Sequence, residues 1–237
     1  MMKKHTLSLI TICLSFISFS QLPTPAIVGY WESWNGEKFI DLKDIDYRYN
    51  VIHIAFASLE GGNDYELSYT PPGSYSESVF KSELADLQAD GKKIIISIGG
   101  QNDQVMLDTE LERDAFVTSV NSIIDYWGFD GFDIDLEGSS LNFSDINVQT
   151  IGDIRQQYLI DAIKSIMENH YLTHGKKLIL TMAPETVYVQ GALSTGSGTY
   201  GGAYLPMIEA LNDSIDMLNV QLYNSGSMYG LDGPSGG

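Results

Sequence analysis

The sequence predicts an α/β fold built on a parallel β-sheet, and three observations support this. Six short apolar runs are rich in Ile, Val, Phe and Tyr and lack strict alternation, which is typical of buried parallel strands. Segments with apolar residues at helical spacing separate several of these runs. The longest irregular segments follow the second, fourth and fifth runs. The pattern alone allows either an open doubly wound sheet or a barrel.

The predicted strands are spread along the chain. They are residues 26–31, 51–57, 93–98, 128–136, 178–183 and 217–223. The long segments that follow three of them are residues 59–75, 138–152 and 186–203. In a barrel, such loops line the carboxyl-terminal mouth, where barrel enzymes keep their active sites. We therefore expect the functional residues near the ends of the strands.

Three helices are predicted between these strands. Their apolar positions are Phe80, Leu84 and Leu87 in the first, Phe116, Val120, Ile123, Ile124 and Trp127 in the second, and Ile163, Ile166 and Met167 in the third. Ser76 is placed to cap the first helix, and Gly91 and Gly128 are placed to end the first and the second. Because each apolar set occupies one helix face, we expect these faces to form the core.

The composition is globular, with a large acidic excess. The 237 residues include 31 Asp and Glu against 13 Lys and Arg, for a formal net charge of −18 at pH 7. Nucleic acid is therefore not expected as a partner, because a phosphate backbone requires a basic surface. The sequence also lacks a basic amphipathic segment suited to an anionic membrane. Neutral polymers remain possible substrates.

The first twenty residues have the layout of a secretory signal peptide. Lys3 and Lys4 precede the uncharged stretch 7–19, and small residues precede the expected cleavage site before Gln21. The sequence thus predicts a secreted or periplasmic protein without membrane attachment after cleavage. An uncleaved anchor is the alternative, but the stretch is shorter than the ~20 residues of a spanning helix. Cys13, the only cysteine, would leave with the signal, which excludes cysteine chemistry.

The fourth predicted strand carries a row of acidic residues. Side chains alternate along a strand, so Asp133, Asp135 and Glu137 share one face. The opposite face carries Phe132, Ile134 and Leu136, which can pack under helices. Neighbouring carboxylates disfavour joint ionisation, so we expect a raised pKa for at least one of them and assign it to Glu137. A carboxyl group protonated near neutral pH is the general acid that glycosidic cleavage requires.

Two other interpretations of the acidic row stay open. Convergent carboxylates could bind a hard cation, although the chain offers no loop of carbonyl ligands with a Ca²⁺ signature. The row could also be an ordinary solvated strand, although its apolar opposite face argues against this. We expect neither a metal nor a cofactor.

The acidic row resembles the signature of family 18 glycoside hydrolases, Asp-x-x-Asp-x-Asp-x-Glu on the fourth barrel strand. Its four acidic positions correspond to Asp130, Asp133, Asp135 and Glu137. Further segments resemble family motifs in the same order along the chain, namely 29–31 (GYW), 55–57 (AFA), 97–100 (SIGG), 182–185 (MAPE) and 221–224 (QLYN). Residues 181–190 (TMAPETVYVQ) are most similar to bacterial chitinases of the D type. The resemblance covers essentially all of residues 21–237.

The resemblance implies a (β/α)₈ barrel that hydrolyses β-1,4-linked N-acetylglucosamine polymers with retention of configuration. In this family the 2-acetamido oxygen of the sugar attacks the anomeric carbon and forms an oxazolinium ion. By the same resemblance, Glu137 is the general acid and base, and Asp135 binds the acetamido N–H. Asp133 shares a proton with Asp135, and the Tyr223 hydroxyl orients the acetamido carbonyl. The expected partners are chitin or N-acetylglucosamine oligosaccharides.

A second set of residues is expected to bind substrate or support the carboxylates. It comprises Tyr30, Phe56, Ser97, Gly99, Gly100, Met182, Glu185, Gln221 and Asn224. Tyr30 and Ser97 are expected to hydrogen-bond Asp133, and Met182 and Asn224 to shape the pocket for the reacting sugar. Ser97 and Met182 could equally be core residues, and the two glycines should serve backbone geometry. Loop aromatics that could stack on sugar rings are Trp34, Tyr188, Tyr200 and Tyr204.

The number of predicted strands conflicts with a complete eight-stranded barrel. The sixth strand ends near Tyr223, and a (β/α)₈ barrel commonly needs about 250 residues. The eighth-strand tryptophan of the family has no counterpart after Trp127. We therefore expect residues 21–237 to be about six β/α units of a C-terminally truncated chitinase, or else a short protein with an open barrel. Expressed alone, the 237 residues should be poorly soluble or nearly inactive.

Two alternatives to a chitinase remain. An endo-β-N-acetylglucosaminidase acting on N-glycans would use the same acidic row, but residues 181–190 favour a chitinase. A non-catalytic carbohydrate-binding relative, or an inactive fragment, would not hydrolyse glycans. Binding relatives typically lose the acid, whereas Glu137 is present here.

Overall fold

In a computed structural model, the described residues are 22–34, 36, 39–144, 150–190 and 201–223, with the backbone of 228–230 and 233–235. The predicted signal peptide, Tyr200 and Asn224 lie outside them. Within these segments, no helix combines the length and apolar character needed to cross a lipid bilayer.

Strands and helices alternate along most of the chain. The strands are β1 (Val28–Glu32), β2 (Val51–Leu59), β3 (Leu67–Ser68), β4 (Lys93–Gly99), β5 (Gly131–Asp135), β6 (Ile179–Met182), β7 (Met217–Leu218), β8 (Met228–Gly230) and β9 (Gly233–Ser235). The helices are α1 (Glu77–Ala89), α2 (Glu110–Trp127), α3 (Ile154–His174), α4 (Thr186–Val189) and α5 (Leu205–Ala210), with 3₁₀ turns at Leu42–Asp44 and Gly138–Leu141. The three predicted helices are confirmed as α1, α2 and α3.

The main sheet is parallel, with the strand order β1-β2-β4-β5-β6-β7. The short β3 pairs antiparallel with β2, and β8 pairs with β9 in a separate hairpin. In a flat sheet, three spacings of about 4.8 Å would place β1 about 14 Å from β5. Yet the Tyr30 hydroxyl of β1 lies 2.9 Å from the Asp133 carboxylate of β5. The six parallel strands among the described residues therefore curl into part of a barrel.

The helix ends have local causes, of which those at Ser76 and Gly128 were expected from the sequence. The Ser76 side chain accepts a hydrogen bond from the Val79 N–H at the start of α1. Thr109 and Glu112 form a reciprocal capping box at the start of α2. Gly128 ends α2 in the left-handed region, with φ of 77°. Because Gly128 closes a helix, the predicted strand 128–136 begins three residues later, at Gly131.

The two faces of the sheet have different neighbours. The outer face packs against the helices, and its buried members include Ile52, Ile54, Ile94, Ile96, Phe132, Ile134 and Leu180. The inner face has an apolar layer of Val51, Ile95 and Ile179 near the start of the strands. One step further along the strands, the inner face becomes polar, with His53, Ser97, Asp133 and Thr181 all fully buried. The predicted alternation on β5 is therefore confirmed.

The last predicted strand, 217–223, is mostly extended chain without ladder pairing. Regular pairing with β6 stops at Leu218, and within the described part of this segment only an isolated bridge between Glu185 and Gln221 follows. The Asn219 and Gln221 N–H groups donate to the Met182 and Pro184 carbonyls, which keeps this segment beside β6. The apolar composition of residues 217–223 predicted a strand here, but it did not indicate that regular pairing with β6 ends at Leu218.

Gly131 is a position where the β5–β6 spacing leaves no room for a side chain. A Cβ there would collide with the Ile179 carbonyl oxygen and would lie 2.8 Å from the Ile179 Cβ. We expect Gly131→Ala to lower the free energy of unfolding by about 2–3 kcal/mol, because one of the two strands must shift. Urea unfolding followed by circular dichroism measures this change.

A matched control is Gly36→Ala. A Cβ at Gly36 has no atom within 4 Å among the described residues. Its effect on the free energy of unfolding should stay within about 0.5 kcal/mol. Equal unfolding midpoints for the two variants would contradict the close approach of β5 and β6 at Gly131.

Candidate active site

Asp133 is the centre of a buried hydrogen-bond cluster inside the curled sheet. Its Oδ2 accepts from the Tyr30 hydroxyl at 2.9 Å and from the Ser97 hydroxyl at 2.7 Å. Its Oδ1 accepts from the Thr181 hydroxyl at 2.5 Å. Ser97 and Thr181 reach it because they pair with Asp133 in the registers of β4–β5 and β5–β6. Three donors satisfy a carboxylate that is fully removed from solvent.

Asp135 and Glu137 are joined by a single amide. The Gln221 Nε2 donates to Asp135 Oδ1 at 2.8 Å and lies 3.0 Å from Glu137 Oε1. It also lies 3.0 Å from the Ala183 carbonyl oxygen. Asp135 and Gln221 are buried, whereas Glu137 is half-buried at the end of the row. The amide therefore fixes the separation of the two carboxyl groups.

The raised pKa expected in this row falls on Asp135. Burial raises its pKa from 3.8 to about 8, and the charges of Asp133 and Glu137 add to the rise. The hydrogen bond from Gln221 acts in the opposite direction. Asp135 therefore holds a proton at neutral pH. Burial, followed by the charge of Glu137, also raises the pKa of the half-buried Glu185.

Asp130, the first acidic residue of the motif, lies at the other end of β5. Its Oδ2 accepts from the Ile94 N–H at 2.9 Å and from the Gln88 Nε2 at 3.0 Å. Its Oδ1 lies 3.6 Å from the Lys93 Nζ. These contacts fasten the start of β5 to β4 and α1, so Asp130 has a structural role.

Two adjoining cavities border the carboxyl ends of the strands, and the first also extends along β1 to Val28 and Gly29 at the start of that strand. One, of about 520 Å³, is lined by Tyr30, Trp34, Phe56, Asp135, Gln221 and Tyr223, among others. The other, of about 650 Å³, is lined by Trp34, Phe56, Gly99, Gln101, Asn102 and Asp103, among others. Trp34 and Phe56 border both, so the two cavities adjoin, and together they are called the cleft.

Tyr223 lies in the cleft close to the acidic row. It is 65% exposed. Partial burial raises the pKa of its hydroxyl, and the charges of Asp135, Glu137 and Glu185 add to the rise. The hydroxyl therefore stays protonated at neutral pH and can donate a hydrogen bond to a ligand in the cleft.

The two predicted glycines serve the backbone around Asp135. Gly99 has φ of 108°, and a Cβ there would collide with the Asp135 carbonyl oxygen. The Gly100 N–H donates to that same oxygen at 2.6 Å. A Cβ at Gly100, which has φ of 73°, would lie 3.0 Å from the Phe56 ring. Both positions therefore require glycine for the backbone, and Gly99 also lines the cleft.

Met182 lies away from the expected sugar pocket. Thr181 points inward to Asp133, so its neighbour Met182 points outward and is fully buried in the core under the helices. In contrast to Met182, Ser97 faces the inside of the curled sheet, where its hydroxyl donates a hydrogen bond to Asp133. Of the loop aromatics, Tyr188 and Tyr204 are buried, while Trp34 is half-exposed at the cleft.

Two contributors, Thr181 and His53, were missed from the sequence, and a third, Tyr204, has a different role from the sugar stacking that was expected. Thr181 could have been found in part, since alternation along its strand places it on the face opposite Leu180 and Met182. His53 is fully buried, with Nδ1 3.8 Å from Asp133 Oδ2 and Nε2 3.4 Å from the Thr181 hydroxyl. Burial lowers the His53 pKa, so it adds no positive charge at neutral pH. The Tyr204 hydroxyl accepts from the Leu136 N–H at 2.9 Å, which holds the backbone between Asp135 and Glu137.

Comparison with known proteins agrees with this geometry. Residues 26–230 match the sequence profile of Glycosyl hydrolases family 18. The chain is 42% identical over 217 residues to Chitinase Chi52 of Paenibacillus xylanexedens and 42% identical over 213 residues to Chitinase D of Niallia circulans. These alignments cover 90% and 88% of this chain. The chain spans about 40% of the length of these curated relatives.

A solved structure has the same fold. It is a family GH18 chitinase from Chromobacterium violaceum, with a TM-score of 0.76 and 32% sequence identity. The match covers 91% of this chain and 56% of that chain. Together with the curled sheet, it confirms the barrel type over the open doubly wound sheet. By its sequence profile and its relatives, the chain belongs to glycosyl hydrolases family 18.

Proposed function

We propose that the protein is a chitinase that hydrolyses β-1,4-linked N-acetylglucosamine polymers. The observation that carries this proposal is the row of Asp133, Asp135 and Glu137, in which Gln221 joins the last two and Asp135 lines the cleft. Two of the relatives described above are named as chitinases, which supports the same substrate class.

In the proposed mechanism, Glu137 transfers its proton to the glycosidic oxygen as the bond to the anomeric carbon breaks. The acetamido oxygen of the same sugar forms the new bond to that carbon, which gives an oxazolinium ion and inverts the configuration. Water then attacks from the opposite side and gives a proton back to Glu137, which restores the original configuration. A second carboxylate is not needed as nucleophile.

The other residues position the acetamido group. Asp135 is the partner of the acetamido N–H, and it exchanges its proton with the buried Asp133 below it as charge develops. Tyr223 donates its hydroxyl to the acetamido oxygen. Tyr30 and Ser97 act through Asp133, because their hydroxyls hold its carboxylate under Asp135. Gln221 keeps Asp135 and Glu137 at a fixed separation.

A substrate panel tests this function, with the protein expressed from its complete reading frame. Chitin oligosaccharides should be cleaved, and the newly formed end should first appear as the β-anomer in NMR spectra. Cellulose oligosaccharides of equal length are the matched control and should stay intact, because they lack the acetamido group. Release of N-glycans from a high-mannose glycoprotein without chitin cleavage would instead identify an endo-β-N-acetylglucosaminidase. Binding without any cleavage would identify a carbohydrate-binding relative.

We also propose that residues 1–20 direct export of the protein, since chitin is an extracellular polymer. Lys3, Lys4 and the uncharged stretch 7–19 support this. The exported chain should then begin at Gln21, which the intact mass of the protein measures.

A further inference from the structure

A cluster of two histidines and one aspartate lies at the opposite end of the sheet from the cleft. Asp125 is near the end of α2, and His170 and His174 are one turn apart near the end of α3. They line a cavity of about 490 Å³ together with Lys93 and Phe129, which lie at the starts of β4 and β5. The cluster is therefore far from the acidic row at the carboxyl ends of the strands.

The three side chains lie close enough to share one metal ion, although His174 Nε2 and Asp125 Oδ1 are also within hydrogen-bond distance of each other. His170 Nδ1 lies 3.6 Å and His174 Nε2 lies 3.0 Å from Asp125 Oδ1. In a tetrahedral zinc site with bonds of about 2.0–2.1 Å, two ligand atoms lie about 3.3 Å apart. The two observed distances bracket that value. One ligand atom from each of the three residues lies within 4.8 Å of the others, so small rotations would complete the site.

A second observation concerns His170 alone. Its Nδ1 is buried and has no hydrogen-bond partner within the part of the chain that the structure describes. The ring therefore presents this nitrogen to Asp125, whose Oδ1 lies 3.6 Å away. Buried polar atoms in native structures are usually paired, so an unpaired one needs an explanation such as a missing ligand.

The charges around the cluster set a limit on its affinity. Lys93, Lys176 and Lys177 line the same cavity and disfavour a cation. Lys93 lies 3.6 Å from Asp130, and Lys177 lies 3.1 Å from Asp216, so these two lysines are balanced by carboxylates. The positive charge of Lys176 therefore opposes cation binding, whereas the negative charge of Asp125 favours it.

We propose that Asp125, His170 and His174 bind a divalent transition-metal ion, with Zn²⁺ the best fit, that links α2 to α3. Two imidazoles exclude Ca²⁺ and Mg²⁺, which prefer oxygen ligands. Three protein ligands leave a fourth tetrahedral position for water. The ion would stabilise the fold, because it joins two helices that pack on the same side of β5.

The test uses the protein from its complete reading frame, purified without a metal-affinity tag and treated with chelator. We expect one Zn²⁺ per chain by calorimetry, and a rise in Tm of about 5 °C or more at 100 times the dissociation constant. Co²⁺ should give the visible absorption of a tetrahedral site. His174→Gln and Asp125→Asn should each weaken binding at least about tenfold, because loss of even an outer-shell partner costs about 10–100-fold.

Asp213→Asn is the matched control, since Asp213 is exposed and lies in the turn after α5, which is not part of the cluster. It should bind Zn²⁺ like the parent protein. Because His174 is 40% exposed in its side chain, its replacement should leave the metal-free Tm unchanged, and circular dichroism checks this. Absence of binding up to about 1 mM Zn²⁺, or unchanged binding by His174→Gln, would overturn the proposal. Either outcome leaves the hydrolysis of chitin oligosaccharides as a separate question.

Discussion

Replacing Glu137 with Gln is expected to lower the rate of chitin oligosaccharide cleavage by about 10²–10⁴-fold. An amide cannot donate the proton that the leaving oxygen needs. The carbonyl oxygen of the new Gln can still accept from Gln221, which lies 3.0 Å from Glu137 Oε1. The cleft should therefore keep its shape, and the loss should appear in kcat with little change in binding.

Oligosaccharide binding can be measured separately from cleavage, because Trp34 is 49% exposed and borders the cleft. Its fluorescence should respond to the oligosaccharide equally in the parent protein and in Glu137→Gln. Glu168→Gln, on an exposed part of α3, is the matched control and should retain the full rate. A Glu137→Gln variant as fast as the control would remove Glu137 from the mechanism.

Much of the fold follows from local patterns in the sequence. The alternation along β5 predicted that Phe132 and Ile134 face the helices and that Asp133 and Asp135 face inward, because neighbouring side chains of a strand must point to opposite sides. Gly128 was expected to end α2 and does so. These predictions need only the geometry of one strand or one helix.

The parts that could not be predicted depend on neighbours distant in sequence. Gln221 touches Asp135 and Glu137 across more than eighty residues, and its motif alone did not indicate that it joins them. Met182 was placed near the sugar because its motif lies at a strand end, but the inward position belongs to Thr181. The location of the raised pKa at Asp135 also depends on burial, which a row of carboxyl groups does not reveal.

The protonated Asp135 makes the stability of the protein depend on pH. Its pKa in the folded protein is about 8, against an ordinary value of 3.8. Below about pH 4 both states carry the proton, so Asp135 contributes no difference. Between about pH 4 and 8 the unfolded chain loses the proton and the folded chain keeps it, so the free energy of unfolding falls by about 1.4 kcal/mol per pH unit. Above pH 8 the folded state also ionises, and the decline stops.

Asp135→Asn should remove this penalty, because Asn has the shape of a protonated Asp and its carbonyl oxygen can still accept from Gln221. At pH 4 the variant and the parent protein should be about equally stable, and by pH 7 the variant should be more stable by roughly 3–4 kcal/mol. Urea unfolding at several pH values measures the difference, in which other titrating groups such as Glu185 and His170 largely cancel. Parallel pH profiles for the two proteins would contradict the proton on Asp135. A variant that is more stable yet inactive would mean that burying this ionisable carboxyl group lowers stability and serves the reaction.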